Sequence, residues 1–199
     1  MNTLAKSTSL IAGILAATTT AAASASLMNF AWTGAGSGTL NGVTFTNANF
    51  EINAKVNTAN WLSAPFTQIV NTSASITISG VGTYNFTEFT GSWWDASGYV
   101  GFGRADSGRY LSNLYTMHPC PGVQSWDRVS PIGPVSGTGE LLFWVNPFSN
   151  GVQTTGGTLI FANRSGISEA TFTATAVPAP GALALVGLTC AFGGRRRRN

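Results

Sequence analysis

Phe50-Glu51-Ile52-Asn53-Ala54-Lys55-Val56 alternates apolar and polar side chains without a break. Successive side chains of a strand leave opposite faces, so this period-two pattern predicts a strand with one face in a core and the other in water. The same reading extends outward along the chain. Ala74, Ile76 and Ile78 alternate with Ser75, Thr77 and Ser79, and Phe172, Ala174 and Ala176 alternate with Thr171, Thr173 and Thr175. Upstream, Asn41-Gly42 separates Thr39-Leu40 from Val43-Thr44-Phe45-Thr46, which predicts a two-residue hairpin because both residues tolerate the positive φ of its tight turn. Asn150-Gly151 and Gly156-Gly157 predict further turns. Leu141-Leu142-Phe143-Trp144-Val145 and Leu159-Ile160-Phe161 are continuous apolar runs, as expected of strands covered on both faces. No long apolar stripe at helical spacing occurs between residues 26 and 176. Ten or so short strands punctuated by Gly and Asn predict an all-β domain, an antiparallel β-sandwich of jelly-roll type.

Composition agrees. Of 199 residues, 44% are hydrophobic and only 9% charged, against about 25% charged in an ordinary domain. A helical bundle needs charge on its exposed faces, and a disordered chain is poor in aromatics, whereas 11% of this chain is aromatic. The net charge of +3 is concentrated at the ends. Arg195, Arg196, Arg197 and Arg198 supply four of the ten bases, and Lys6 is a fifth. Residues 26–176 carry seven acids against five bases, a net −2. A nucleic-acid partner, which needs a basic face on the folded domain, is therefore not expected.

Both ends read as targeting segments. Lys6 precedes the apolar run Leu10-Ile11-Ala12-Gly13-Ile14-Leu15-Ala16-Ala17, and Ala23-Ser24-Ala25 follows. A basic start, a short apolar segment and an A-x-A site define a secretory signal peptide over 1–25, cleaved between Ala25 and Ser26 by signal peptidase. At the other end, Val177-Pro178-Ala179-Pro180 reads as an extended linker, since proline fixes φ and lacks an N–H. Residues 181–194 are uncharged and would make about 21 Å of helix, short of a roughly 30 Å hydrocarbon core unless the bilayer thins and the arginines snorkel. The arginines after it would hold the C-terminus in the cytoplasm and the domain outside.

This tail resembles the PEP-CTERM sorting signal of bacterial exosortase substrates, in which a Pro-Glu-Pro-like motif precedes a short hydrophobic helix and an arginine cluster. Pro178, Ala179 and Pro180 match the motif, with Ala179 in the place of Glu, and Arg195 to Arg198 match the cluster. The resemblance implies an exosortase-like membrane protease that cuts near Pro180, and an exopolysaccharide setting. The organisation is then a signal peptide at 1–25, a β-sandwich domain at 26–176 and a sorting tail at 177–199. The expected course is a precursor anchored in the inner membrane, then a domain on the envelope surface or outside the cell.

Chemistry-bearing residues are sparse. Cys120 is the lone cysteine of residues 26–176, so no disulfide within the domain is expected. His118 lies two residues away, but one His and one Cys make an incomplete metal or nucleophile set, so no metal or cofactor is expected. A buried thiol is the plainer expectation. Glu88, Asp95, Asp106 and Glu140 would supply a glycosidase pair only by converging on one cleft, and Asp95-Ala-Ser-Gly and Asp106-Ser-Gly have the form of turns. Residues 117–137 hold Pro119, Pro121, Pro131 and Pro134, and read as a rigid cover over one end of the sandwich. Trp93 and Trp94 are adjacent, so on a strand they face opposite sides and one at most is core. The outward one, and Trp126 beside Asp127 and Arg128, are the candidate ligand contacts, because flat amphipathic rings stack on sugars. The sequence thus predicts a non-enzymatic exported envelope or matrix protein linked to exopolysaccharide. Its alternatives are a carbohydrate-binding module and a secreted hydrolase.

Overall fold

The computed structural model describes residues 27–62, 67–105, 110–141, 151–162 and 164–178. The fold grows from one long hairpin, β1 (Leu27–Leu40) and β2 (Val43–Asn57), paired from Leu27↔Asn57 to Leu40↔Val43. Asn41 and Gly42 turn it with φ of 49° and 82°, the two positive angles that match the twist of the flanking strands. One bulge interrupts the ladder. Thr46 and Asn47 oppose Ser37, Asn47 takes φ 47°, and its N–H donates to Ser37 Oγ at 2.8 Å. The alternation in β2 is observed: Phe50, Ile52, Ala54 and Val56 are buried while Glu51 and Lys55 are exposed.

The remaining strands are β3 (Thr67–Val70), β4 (Ser73–Ile78), β5 (Gly82–Asn85), β6 (Thr90–Trp94), β7 (Val100–Ala105), β8 (Tyr110–Met117), β9 (Ile132–Leu141), β10 (Val152–Thr154), β11 (Gly157–Phe161) and β12 (Arg164–Ala176). Every pairing is antiparallel, and the path runs β3-β6-β7-β8-β9-β12-β1-β2-β4-β5, with β11 also on β1 and β10 on β11. The domain is all-β and sandwich-like, and its two layers are halves of one curled sheet. Strands β7 and β1 lie four ladder steps apart on that path, about 19 Å along a flat sheet. Yet Trp32 on β1 and Phe102 on β7 have ring centroids 5.6 Å apart, and Phe50 on β2 meets Tyr115 on β8 at 5.2 Å. Only a sheet folded back on itself brings those rings together. The bend coincides with the short β8–β9 pairing and with three register shifts between β9 and β12, where bulges add curvature.

The core is a file of aromatics between the layers. Phe30, Trp32, Phe172 and Phe102 pack at one end, and Phe45, Phe50, Tyr115 and Phe161 at the other, several of them edge to face. The inner face of β1 is glycine where the second group needs room: a Cβ on Gly34 would sit 2.9 Å from the Phe50 ring and 2.8 Å from the Tyr115 hydroxyl.

Three strand expectations need adjustment. Strands β1, β2 and β12 are 14, 15 and 13 residues long, not short, because they pair along their length. Ile160 is half-buried, so Leu159-Ile160-Phe161 alternates like any one-faced strand. Ala176 is exposed, since the pairing of β12 with β9 ends at Ala174↔Ile132 and leaves the end of β12 uncovered on that side. Of the run from Leu141 to Val145, only Leu141 falls among the described residues, where it is buried.

Candidate functional site

The proline-rich segment closes one end of the sandwich. After β8 a 3-10 turn (Pro121–Val123) leads to a loop, and Cys120, Val123 and Trp126 are buried in the core cluster. The Trp126 ring lies 5.6 Å from Phe30 and 5.7 Å from Phe172, and its Nε1 donates to Ser130 O at 2.7 Å. With 7% of its surface exposed, Trp126 has no free ring face for a ligand, and that expectation is corrected. Its neighbours are structural as well. Asp127 Oδ1 accepts from the N–H groups of Val129 and Ser130, and Oδ2 accepts from Ser130 Oγ at 2.6 Å. Those bonds, the Ser130 hydroxyl foremost, hold the carboxyl below the usual carboxylate range. Arg128, at φ 68°, offers its carbonyl to Trp61 Nε1 and sets its guanidinium 5.1 Å over the Trp94 ring.

Trp93 and Trp94 divide as the strand geometry requires. Trp94 turns inward, packs against the core cluster and donates from Nε1 to Val123 O at 2.8 Å. Trp93 takes the other face. Directly opposite it on β7 stands Gly101, and a Cβ there would collide with the indole, so the ring lies flat across the strand. Its Nε1 donates to Asn113 Oδ1 on β8 at 2.6 Å. Tyr99 lies nearly parallel to it, with centroids 6.1 Å apart, and His118 stacks on Tyr99 at 3.6 Å. Three half-buried rings thus form a ledge on the outer face.

Cys120 and His118 do not form a dyad in this arrangement. His118 spends one ring face on Tyr99, whereas the Cys120 thiol is fully buried, under Gly137. Burial pushes that thiol up to about 11, which disfavours the thiolate a nucleophile needs. Desolvation raises the buried Tyr115 hydroxyl too, with the nearby Cys120 thiol contributing, and it donates to Thr33 O at 2.9 Å. Among the described residues no three His, Cys, Asp or Glu side chains gather as metal ligands.

Of the four carboxylates singled out from sequence, the three described ones are dispersed. Asp95 Oδ1 accepts from the N–H groups of Ser97 and Tyr99, a turn as expected. Glu140 is exposed on β9, and Asp106 lies outside the described residues. Glu88 pairs with Arg104 at 2.8 Å and accepts from the Gln153 N–H at 3.0 Å. It borders a cleft of about 350 Å³ at the junctions of β3 with β4 and β5 with β6, where Phe89 stands 63% exposed. A second depression of about 320 Å³, along β1 and β2, is lined in part by Glu51 and Glu169, which the sequence reading did not single out. Sequence reasoning passed over Phe89, because a phenylalanine in a β-rich chain reads as core.

Of the sorting and cleavage residues, Val177 and Pro178 are described. The Val177 N–H donates to Leu27 O at 2.9 Å, extending the ladder by one bond beyond β12, and Pro178 is exposed. Ala23, Ala25, Ser26, Ala179, Pro180 and Arg195 to Arg198 lie outside the described residues. No helix among the described residues is long and apolar enough to cross a membrane. Comparison with protein-family models, with curated proteins and with solved structures returned no match.

Proposed function

We propose that this chain is a non-enzymatic exported protein, whose β domain is displayed on the envelope or in an extracellular polysaccharide matrix after an exosortase-like protease removes its tail. The observation that carries this reading is where the ladder stops. Strands β1 and β12 are neighbours, and the last bond among the described residues is that of Val177 to Leu27. All the strand pairings described fall between residues 27 and 176, so a cut near Pro180 would break none of the described pairings. The low charge of the domain and its polar Thr, Ser and Asn outer faces suit uncharged surroundings outside the cell.

A carbohydrate-binding role for the domain is a second reading, favoured by one observation: Trp93 lies flat on the sheet over Gly101, with its N–H already engaged by Asn113. A pre-positioned ring loses little freedom on stacking against a sugar.

The basic cluster tests the main reading. Four arginines resist crossing a membrane with a potential negative inside, and so halt export at the tail. Replacing Arg195 to Arg198 with Gln should abolish tail removal in the producing cell, as seen by immunoblot of membrane and medium fractions. Processing unchanged by that replacement would refute the reading.

A further inference from the structure

We propose that the cleft beside Phe89, together with the neighbouring Lys55, binds a sugar that carries one carboxylate, a uronic acid unit. The proposal rests on the reading that the domain meets polysaccharide outside the cell.

The cleft opens because its two walls are drawn apart. Residues 71–74 and 85–90 are tied to each other at both ends, Asn71 N–H to Thr90 O at 2.9 Å and Phe86 N–H to Ala74 O at 3.0 Å. Between those bonds each wall turns to a different neighbour. Thr72 gives its N–H and its hydroxyl to Lys55 O on β2, at 2.8 and 3.0 Å, and Ser73 pairs with Lys55. Across the gap, Thr87 N–H donates to Gln153 O, and Glu88 accepts from the Gln153 N–H, both at 3.0 Å. The resulting volume, about 350 Å³, lies near the lower end of small-ligand sites, which span about 300–1,000 Å³, and suits a single sugar ring.

The lining suits a sugar. Phe89 is 63% exposed, and its carbonyl is held by the Ala105 N–H at 2.9 Å, so an apolar ring stands in water from a fixed backbone position, open to sugar C–H groups. Ser73, Asn85 and Thr87 are exposed lining residues whose hydroxyls and amide meet sugar O–H groups. Buried Asn71 ties its wall to β6, donating from Nδ2 to Thr90 Oγ1 at 3.0 Å and accepting from Ser92 Oγ at 2.7 Å.

Charge adds the carboxylate. Among the described residues lining the cleft, Glu88 is the one charged side chain, and Arg104 neutralises it at 2.8 Å. Lys55 is different. It is exposed, and among the described residues it has no ion-pair partner. Its cross-strand neighbours are Asn29 and Ser73, and Asn53 and Asn57 flank it on the same face, so no described acid adjoins it. Lys55 and Ser73 stand directly opposite, with Cβ atoms about 5 Å apart, and a flexible lysine stem is long enough to carry its ammonium over Ser73 to the cleft. One unspent cation matches one carboxylate. A polyanion would meet the net −2 of residues 26–176, so the fit is to an isolated acidic unit in a largely neutral polymer.

The test is saturation-transfer difference NMR on the full chain in a neutral polyoxyethylene detergent, with methyl glucuronide, methyl galacturonide, methyl glucoside, methyl galactoside and sodium acetate as probes. At least one uronide should bind, about threefold or more tighter than its neutral counterpart and than acetate. Lys55→Gln should bring that uronide down to the level of its neutral counterpart, and should abolish the weakening that added salt causes in the unaltered chain. Phe89→Ala should weaken the uronide about fivefold, because the ring face is lost. Both side chains are exposed, so neither replacement should move the melting temperature; if Phe89→Ala does not fold, Lys55→Gln decides alone. Four results would overturn the proposal: no uronide binding at tens of millimolar ligand, a neutral glycoside that binds as well, acetate that binds as well, or uronide binding that survives either replacement in a folded chain. Binding is read on the unprocessed chain, whereas export and tail removal are read by processing, so either result can fail without the other.

Discussion

Replacing Trp126 with alanine distinguishes a core tryptophan from a ligand-binding one. The ring is 93% removed from water, contacts Phe30 and Phe172 edge-on, and gives its N–H to Ser130 O. A buried tryptophan withdraws about 200 Å² from water, and at roughly 25 cal/mol per Å² that contributes about 5 kcal/mol. The retained Cβ and partial collapse of the loop recover some of this, so the loss should be about 4 kcal/mol. For a domain of this size, that lowers the melting temperature by about 12 °C. The assay is urea unfolding of the full chain followed by circular dichroism, with Trp93→Ala alongside. Trp93 is half-buried on the outer face, so its truncation should cost less than half as much. A loss below about 1 kcal/mol at Trp126, together with a larger one at Trp93, would refute the assignment of residues 117–137 as a cover integral to the core.

Two further outcomes follow from the packing. Gly38→Ala should destabilise by about 3 kcal/mol, since its Cβ would run into the backbone oxygen of Ile160 and lie 2.9 Å from the Phe45 ring, whereas Val43→Ala at the same end, 68% exposed, should change unfolding by less than about 0.5 kcal/mol. Alkali should also loosen the fold: Cys120 ionises near 11 in the folded domain against an ordinary 9.0, so its contribution is whole below pH 9, is lost as pH rises through 11, and amounts to on the order of 2 kcal/mol. Melting temperatures measured across that range should fall less steeply in Cys120→Ala, with Tyr115 keeping a residual slope at still higher pH; identical slopes would contradict the buried-thiol assignment.

Strands β2, β4 and β12 were legible because each buries one face, which imprints a period of two on the sequence. Asn41-Gly42 was legible because few residue pairs accept two positive φ angles. Strand β7 (Val100–Ala105) left no such imprint: Gly101 and Gly103 alternate with Val100 and Phe102, and what Gly101 accommodates is the Trp93 ring from the neighbouring strand. That information is non-local. The burial of Trp126 was hidden for the same reason, since its partners Phe30 and Phe172 come from the first and last strands. The folding of one sheet into two layers depends on bulges between β9 and β12, which shift register by single residues and leave composition unchanged. Phe89 was missed because residue type cannot tell a connecting segment's outer side from a core position.

The central claim is that the β domain is exported whole and freed from its tail. The most direct measurement is the intact mass of the protein recovered from its own host, in the medium and envelope fractions. The account predicts a chain beginning at Ser26 and ending near Pro180, without Cys190 or the four arginines. A membrane-bound chain that still ends at Asn199, with no shorter species, would contradict it.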